Sequence, residues 1–209
     1  IAIQVLKGNV ITVTDIKEVT KSRVKIEIDR ESSFVLYKGE LRIYGIREGQ
    51  DLTEENYNLI MKEVLPKRAK LRAMNLLKSR SYTSHQLLEK LTTGGYSKEH
   101  AKEALDYVAS FGYVDDRQYA RDFIEYNKEK KSMQLIASDL QKKGIANPLF
   151  EEMWEDAIGE DMQQLEKEQI KGWLLKKHFD MEAASVSDIH KMTGFLYRKG
   201  FSFDAIRNV

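Results

Sequence analysis

Apolar residues alternate with polar ones in the first 50 residues of the chain, whereas they recur at helical spacing in the rest. Alternation runs through Val10–Val13 and Val24–Ile28, and a short apolar run follows at Phe34–Tyr37. These segments, separated by polar turns, predict a small antiparallel β meander. The stretch from Lys38 to Ile46 fits either a strand or a short helix. Because three short strands rarely stand alone, we expect them to pack on the first helix or to form a mobile appendage.

Start and stop signals divide the remaining chain into helices. Thr53 precedes an amphipathic segment, Glu54 to Val64. We expect Pro66 to interrupt this segment and to lie in the first turn of a new helix. Residues 1–52 are therefore predicted to be a strand region and 53–66 a connecting helix. Later helix starts are indicated by capping side chains at Thr83, Ser97, Asp115, Asn147 and Ser202, and by the sequence near Asp161.

A leucine and glycine unit that occurs three times indicates an internal repeat. In each copy a glycine follows a leucine by four positions and precedes an apolar residue and a helix start; the glycines are Gly95, Gly144 and Gly200. Glycine adopts the left-handed conformation that ends a helix without steric penalty. The interval of about 50 residues is typical of helical repeats. We predict a mainly α fold: three tandem three-helix repeats at 67–113, 114–158 and 159–209, in an elongated, curved array after the β meander, with the last helix truncated.

Composition limits the cellular context and the chemistry. The 209 residues contain 34 Lys and Arg against 33 Asp and Glu, so the distribution of charge, and not its sum, has to indicate a partner. The absence of cysteine excludes a disulfide framework, thiolate metal sites and cysteine catalysis. No apolar run approaches the ~20 residues needed to cross a bilayer, and no signal peptide is visible. We therefore expect a cytoplasmic protein without a membrane partner.

Residues of the kinds that support catalysis or bind metals do not converge. The four histidines are scattered, and the pair His85 and Glu89 is more typical of a solvated helix face than of a metal site. Asp115 and Asp116 point apart on a helix, and capping already explains Asp115. The acidic cluster from Glu151 to Asp156 lies near a helix start, where it favours the helix dipole. We expect no enzyme activity, no cofactor and no metal.

Lysine and arginine residues are clustered, many of them at predicted helix ends. The run from Lys67 to Arg80 contains no acidic residue. If several repeats turn these ends to one side, they form a positive stripe that suits a phosphate backbone. The alternative is that cations in the last turn of a helix only complement its dipole. The candidate phosphate contacts are Lys67, Arg68, Lys70, Arg72, Lys78, Arg80, Lys128, Lys130, Lys131, Lys142, Lys143, Lys176, Lys177, Arg198 and Lys199.

The same region carries motifs of a known family. These are Arg72–Leu77, Gln86–Leu91 and above all Phe111–Asp116, which reads FGYVDD and is followed by Tyr119 and Ala120. From about residue 67 to 209 the sequence resembles the RecX family of bacterial recombination regulators. The resemblance implies a non-enzymatic modulator of the RecA recombinase that binds RecA–DNA filaments, limits their extension and inhibits strand exchange and ATP hydrolysis. It also implies direct binding of single- and double-stranded DNA, and we expect a monomer.

Two features leave other functions open. The third repeat departs from the family pattern, with a longer insertion around Phe179 to Ser187 and a truncated last helix. The basic clusters alone are equally compatible with a sequence-independent DNA-binding module that has no RecA partner, or with a protein scaffold whose charges only solubilise it. DNA binding that weakens with salt would distinguish the first two functions from the scaffold.

Overall fold

The computed structural model describes residues 10–29 and 32–209; residues 1–9 of the predicted strand region, and 30 and 31 in one of its turns, lie outside the described residues. The chain divides into two units. One consists of the residues up to Ser81 together with Gln86–Val114, and the other of Tyr82–His85 together with Asp115–Val209. The described chain is mainly helical and begins with a small antiparallel sheet, as predicted. None of its helices is both long enough and apolar enough to span a membrane.

The N-terminal sheet is an antiparallel meander with one added strand. Its strands are β1 (Ile11–Glu18), β2 (Arg23–Ile28), β3 (Ser32–Tyr37) and β4 (Asp51–Leu52), in the order β3-β2-β1-β4. Alternate strand residues contribute to one apolar cluster, which also contains Ile60 and Leu65 from the first long helical segment. The sheet therefore packs on that segment, the first of the two arrangements that its sequence allows.

The ambiguous stretch after β3 is a short helix, α1 (Lys38–Ile43). At its start the backbone N–H of Tyr37 donates to the carboxylate of Glu40 at 2.8 Å, a bond typical of helix N-termini. Strand β4 follows α1 and pairs with β1. It was not predicted because two residues are too few to show alternation.

One continuous helical segment leads from the sheet into the helices of the same unit. It consists of α2 (Glu54–Leu59), a π-helical turn (Ile60–Val64) and α3 (Leu65–Leu77). The segment begins at Thr53, whose hydroxyl oxygen accepts a hydrogen bond from the backbone N–H of Asn56 at 3.3 Å. This cap confirms the predicted helix start.

Pro66 lies in the first turn of α3, as predicted, but it does not interrupt the helical segment. In the π turn the N–H of Leu65 donates to the carbonyl of Ile60, five residues earlier. In this register the carbonyl of Met61 would face Pro66, which has no N–H to donate. That carbonyl is instead 2.8 Å from Nε2 of His100, a buried residue of the same unit. The predicted break is wrong because a π turn and a histidine together accommodate the proline.

The remaining helices carry the candidate site. They are α4 (Ser84–Thr93), α5 (Lys98–Ser110), α6 (Asp116–Asn127), α7 (Met133–Lys142), α8 (Asn147–Ile158), α9 (Met162–Lys176), α10 (Val186–Arg198) and α11 (Phe203–Arg207). The predicted caps at Ser97, Asp115 and Ser202 each accept a hydrogen bond from a backbone N–H in the first turn. Ser132 and Ser185 cap α7 and α10 in the same way.

One predicted cap is wrong by a residue. Asn147 is the first residue of α8, and Ala146 precedes it in the capping position. The reason is that the first intrahelical bond already starts there, since the N–H of Phe150 donates to the carbonyl of Ala146 at 3.1 Å. Near Asp161, a short 3₁₀ turn (Gly159–Asp161) separates α8 from α9, and Asp161 makes no capping bond.

The three repeated glycines occupy equivalent junctions between helices. Gly95, Gly144 and Gly200 have φ angles of 96°, 85° and 86°, the left-handed region that favours glycine. After each glycine, the next N–H donates to the carbonyl of the repeated leucine, with N–O distances of 3.2, 3.0 and 3.3 Å. This bond is the Schellman arrangement that satisfies the end of a helix.

Apolar clusters hold the helices of the second unit together. One cluster contains Ile124, Leu140 and Trp154, from α6, α7 and α8. Another contains Ile170 and Leu196 with Phe201, and Val209 packs against it. Leu105 in the first unit and Trp154 in the second are both buried.

Candidate nucleic-acid interface

A groove in the second unit brings together basic residues that are far apart in sequence. It has a volume of about 700 Å³ and is lined by Lys128, Lys130, Gln169, Gly172, Trp173 and Lys176. Glu129, Leu165 and Glu168 complete the lining. We call this space the Trp173 groove. Two of the predicted basic clusters, at 128–131 and at 176–177, therefore contribute to one surface.

Helix α9 supplies one side of the Trp173 groove. The lining residues of α9 recur at intervals of three and four positions, so they share one face of the helix. They are residues 165, 168, 169, 172, 173 and 176. Gly172 places no side chain beside the indole of Trp173, and no atom lies within 4 Å of where its Cβ would be. The helix thus presents an aromatic ring next to open space, with Lys176 one turn further on.

The other side is the turn that follows α6, and Gln169 fixes it. The side-chain amide of Gln169, which is buried, donates to the carbonyl of Lys128 and to that of Lys131, the latter at 3.0 Å. Asn127, also buried, donates from its side chain to the carbonyl of Phe123 at 2.7 Å. The two bonds from Gln169 hold the backbone of 128–131 against α9, so Lys128 and Lys130 line the same groove as Trp173.

Several ammonium groups lie over the aromatic rings near the groove. The Nζ atoms of Lys176 and Lys199 are 5.1 and 4.7 Å from the ring centroid of Trp173. Phe195 contacts Trp173 edge to face, with centroids 5.4 Å apart, and Nζ of Lys177 is 5.1 Å from Phe195. Such cation–π contacts contribute only about 0.5–1 kcal/mol at exposed sites. The lysines are therefore held close to the rings but can exchange them for a phosphate.

The lysines around the groove differ in whether a carboxylate neutralises them. Lys128 pairs with Glu125 at 2.8 Å, and Lys131 pairs with Asp139 at 2.7 Å. The hydrogen bond from Lys131 lowers the pKa of the Asp139 carboxyl, so this pair stays ionised well into the acid range. Within the described residues, Lys130 and Lys176 have an aromatic ring and no carboxylate as partner. Neither of these two lysines has an ion-pair partner in the described residues, while Glu129 and Glu168 also line the groove.

The basic run in the first unit does not form one continuous stripe. Arg68 pairs with Glu40 and lies over the ring of Tyr37, with its guanidinium carbon 4.9 Å from the centroid. Lys70 pairs with Glu103 at 2.7 Å. A phosphate would have to compete with these carboxylates. The exposed members of the run are Lys67, Arg72, Lys78 and Arg80.

The other predicted residues lie outside the lining of the groove. Lys142 is exposed and 3.7 Å from Asp139. Lys143 lies over Phe123, with Nζ 5.5 Å from the centroid. Arg198 is exposed next to Lys199. Their contact with phosphates stays a prediction.

Known proteins resemble this chain along nearly its whole length. A family model described as "RecX, first three-helix domain" matches residues 69–107. Regulatory protein RecX of Caldanaerobacter subterraneus subsp. tengcongensis is 30% identical over 192 residues, which cover 91% of this chain and 93% of that protein. The chain belongs to the RecX family. Regulatory protein RecX of Clostridium botulinum (strain Eklund 17B / Type B) is 22% identical over 206 residues, which cover 95% and 93% of the two chains.

Solved RecX structures share the fold. A crystal structure of regulatory protein RecX superposes with a TM-score of 0.61 at 19% identity and covers 95% of this chain and 100% of that one. RecX from Lactobacillus salivarius gives a TM-score of 0.58 at 18% identity, with 69% and 93% coverage. At these identities the structures bear on the fold alone.

The RecX motif that carried the resemblance has a structural role in this chain. Asp115 accepts hydrogen bonds from the backbone N–H groups of Arg117 and Gln118 at the start of α6. Asp116 accepts one from the backbone N–H of Ser84 at 2.7 Å. The adjacent aspartates thus fasten two helix starts, which explains the pair without a catalytic role.

Two residues of the groove cannot be recognised from the sequence of this RecX chain. Trp173 lies among apolar positions, where a tryptophan is usually a core residue. Gln169 was missed because its function depends on carbonyls some 40 positions earlier. The available signal was local: a tryptophan after a glycine, with Lys176 and Lys177 one turn later.

The described residues give the RecX chain no evident metal site. No group of three or more His, Asp or Glu side chains in 10–29 and 32–209 is placed to hold a metal ion. His85 packs closely against Gly144, since a Cβ on that glycine would be 2.1 Å from the Cβ of His85. Packing at this junction accounts for the histidine that the sequence had placed beside Glu89.

Proposed function

We propose that this chain is a non-enzymatic regulator of the RecA recombinase. In this proposal it binds RecA–DNA filaments and inhibits their ATP hydrolysis, their extension and strand exchange, and so acts in the cytoplasm. The observation that carries the proposal is the similarity to a regulatory protein RecX over 91% of the chain. Side chains of the types that support catalysis do not converge in the sequence, which is compatible with a role in binding.

The proposal assigns direct DNA contact to the basic residues of both units. The Trp173 groove contributes most, because Lys130 and Lys176 are not neutralised by carboxylates in the described part of the chain. Lys67 and Arg72 contribute from the exposed part of the first basic run. Lysines at such positions release counterions from the DNA when they bind phosphates, so salt weakens the complex.

We further infer that the helices after 66 form three tandem three-helix repeats, at 67–113, 114–158 and 159–209. The three equivalent glycine junctions support this division. In a repeat array, each unit adds a contact to the same filament, so weak contacts with several RecA subunits and with DNA combine through effective concentration. A monomer is sufficient for this mode of binding.

Cosedimentation with RecA filaments tests the proposal. RecA filaments are preformed on single-stranded DNA, and the amount of this chain that sediments is compared with the amount that sediments with the same DNA without RecA. We expect more of the chain to sediment with the filaments. Equal amounts in the two samples would favour a general DNA-binding module, and no sedimentation in either would favour a protein scaffold.

A further inference from the structure

We propose that the Trp173 groove binds single-stranded DNA by stacking an unpaired base on the indole of Trp173, so that it selects single strands over duplex. This inference rests on the proposed function, because it concerns the DNA contact of the same surface. It goes beyond a phosphate-binding role, since it assigns the recognition to a ring and not only to lysines.

The two tryptophans of the chain occupy different environments. Trp154 is 5% exposed and lies in the apolar cluster of α6, α7 and α8. Trp173 is half-buried: it packs against the cluster of Ile170, Leu196 and Phe201, and it also lines the groove. Its ring is held by the edge-to-face contact with Phe195, and Gly172 leaves the adjacent space open. A fixed aromatic ring beside an open space is the arrangement on which nucleic-acid bases stack.

The charges of the groove favour a polynucleotide over an apolar ligand. Lys128, Lys130 and Lys176 line the same groove as Trp173, and two of them have no carboxylate partner within the described residues. The volume of about 700 Å³ is in the range of sites that enclose small ligands, and is therefore sufficient for a base and its sugar. Glu129 and Glu168 also line the groove, and they repel phosphates. The strand is thus expected to direct its phosphates to the lysines and a base to Trp173.

Stacking of this kind discriminates between single strands and duplex. Every base in a duplex is already stacked and paired, and its extrusion costs a few kcal/mol. A base in a flexible single strand has a free face, and stacking on an aromatic side chain tolerates any sequence because every base has a π-face. Lys176 and Lys199 would leave the ring of Trp173 and pair with phosphates, which exchanges weak contacts for stronger ones.

Tryptophan fluorescence with two matched DNA strands tests the inference. The full chain is titrated with a short oligothymidylate and with a strand of equal length in which every base is replaced by an abasic site. Both strands carry the same phosphates. We expect the oligothymidylate to quench the fluorescence and to bind about five- to a hundredfold more tightly than the abasic strand, as one stacked base requires. Equal affinity and equal quenching for the two strands would overturn the inference.

Two variants identify the ring that responds. In Trp173→Phe the remaining tryptophan is the buried Trp154, so we expect the quenching to disappear although a phenyl ring keeps part of the affinity. Lys171→Ala is the matched control, because it removes a charge from an exposed position of α9 that does not line the groove. It should quench and bind as the parent chain does. Unchanged quenching in Trp173→Phe would refute the role of Trp173.

Competition with duplex DNA tests the selection of single strands, and the absence of RecA separates this inference from the proposed function. Duplex of the same length should displace the oligothymidylate from the groove only at higher concentration; displacement at equal concentration would contradict selection for single strands. Because these titrations contain no RecA, a chain that stacks bases but leaves RecA filaments unaffected would retain this inference and refute the proposed function. A chain that inhibits RecA but binds abasic strands equally well would do the reverse.

Discussion

At the scale of single residues, hydroxyl groups close the repeated junctions. The Oγ of Ser132 donates to the carbonyl of Lys199 at 2.6 Å, and the Oγ1 of Thr83 donates to the carbonyl of Lys143. Each carbonyl belongs to the residue before a repeated glycine. The sequence indicates the glycines and the cap at Thr83 separately, but it contains no sign that hydroxyl groups and junctions meet, because 60 and 67 positions separate the bonded residues.

Removal of one such hydroxyl should cost more than the loss of an ordinary helix cap. Ser132 is buried and both caps α7 and donates to Lys199. We expect Ser132→Ala to lower the free energy of unfolding by about 2–4 kcal/mol, since it removes a cap and leaves a carbonyl without its donor. The control Ser185→Ala removes an exposed cap and should cost about 1 kcal/mol. Urea denaturation measures both, and equal losses would argue against the tertiary bond.

A side chain at the second junction should also be poorly tolerated. Gly144 and Gly112 both have left-handed φ angles, of 85° and 73°. A Cβ at Gly144 would lie 2.1 Å from the Cβ of His85, which cannot rotate away, whereas a Cβ at Gly112 meets no atom within 4 Å. We expect Gly144→Ala to be about 1–3 kcal/mol less stable than Gly112→Ala. Thermal or urea unfolding measures the stabilities of the two variants, and equal stabilities would show that the junction is loosely packed.

At the scale of secondary-structure elements, Pro66 and His100 form an interdependent pair. The proline leaves the Met61 carbonyl without a backbone donor, and Nε2 of His100 lies 2.8 Å from it. A carbonyl oxygen can only accept, so the ring has to carry a proton on Nε2 to donate. The sequence predicted a break at Pro66 because local rules include no donor from a helix more than 30 residues later.

A double-mutant cycle measures this dependence. His100→Leu should lower the free energy of unfolding by about 1–3 kcal/mol, because it leaves the buried carbonyl of Met61 unsatisfied. In the Pro66→Ala background residue 66 has an N–H that can serve this carbonyl, so the same substitution should cost about 1 kcal/mol less. Additive losses in the cycle would show that the proline does not create the need for the histidine.

The alternation of apolar and polar residues predicts the strands of the sheet. It does not predict that the sheet contacts the first glycine junction. Nη1 of Arg23 donates to the carbonyl of Gly94 at 3.1 Å, and a Cβ on Gly95 would be 2.5 Å from Cγ2 of Val35. The sheet thus closes the first junction as Thr83 and Ser132 close the other two, and its described strands belong to the first of the two units.

At the scale of the whole molecule, two sets of the predicted basic residues can be tested independently. One lines the Trp173 groove, and the other is the exposed part of the first basic run. Most of these lysines can be found in the sequence because they are clustered along the chain. The sequence does not indicate that Lys128 and Lys176 share a groove, because the groove depends on how α9 packs beside the turn after α6.

The salt dependence of single-strand binding should report each surface. Each phosphate contact contributes about 0.7 to the slope of log affinity against log salt. We expect the triple variant of Lys128, Lys130 and Lys176 to alanine to reduce the slope by about 1.4–2, the lower value if Lys128 stays paired with Glu125. Lys67→Ala with Arg72→Ala should reduce the slope by about 1.4. Lys67 and Arg72 represent the first basic run because Arg68 and Lys70 pair with carboxylates. A variant with an unchanged slope would exclude its surface from the DNA contact.

The single-stranded-DNA-dependent ATPase of preformed RecA filaments tests most directly whether this chain regulates RecA. The chain is added well below the RecA concentration at near-physiological salt, with a DNA-binding protein of unrelated fold as control. We predict inhibition by this chain and none by the control, and weaker inhibition by the triple lysine variant. An unchanged ATPase rate, with DNA binding still detectable, would contradict the claim.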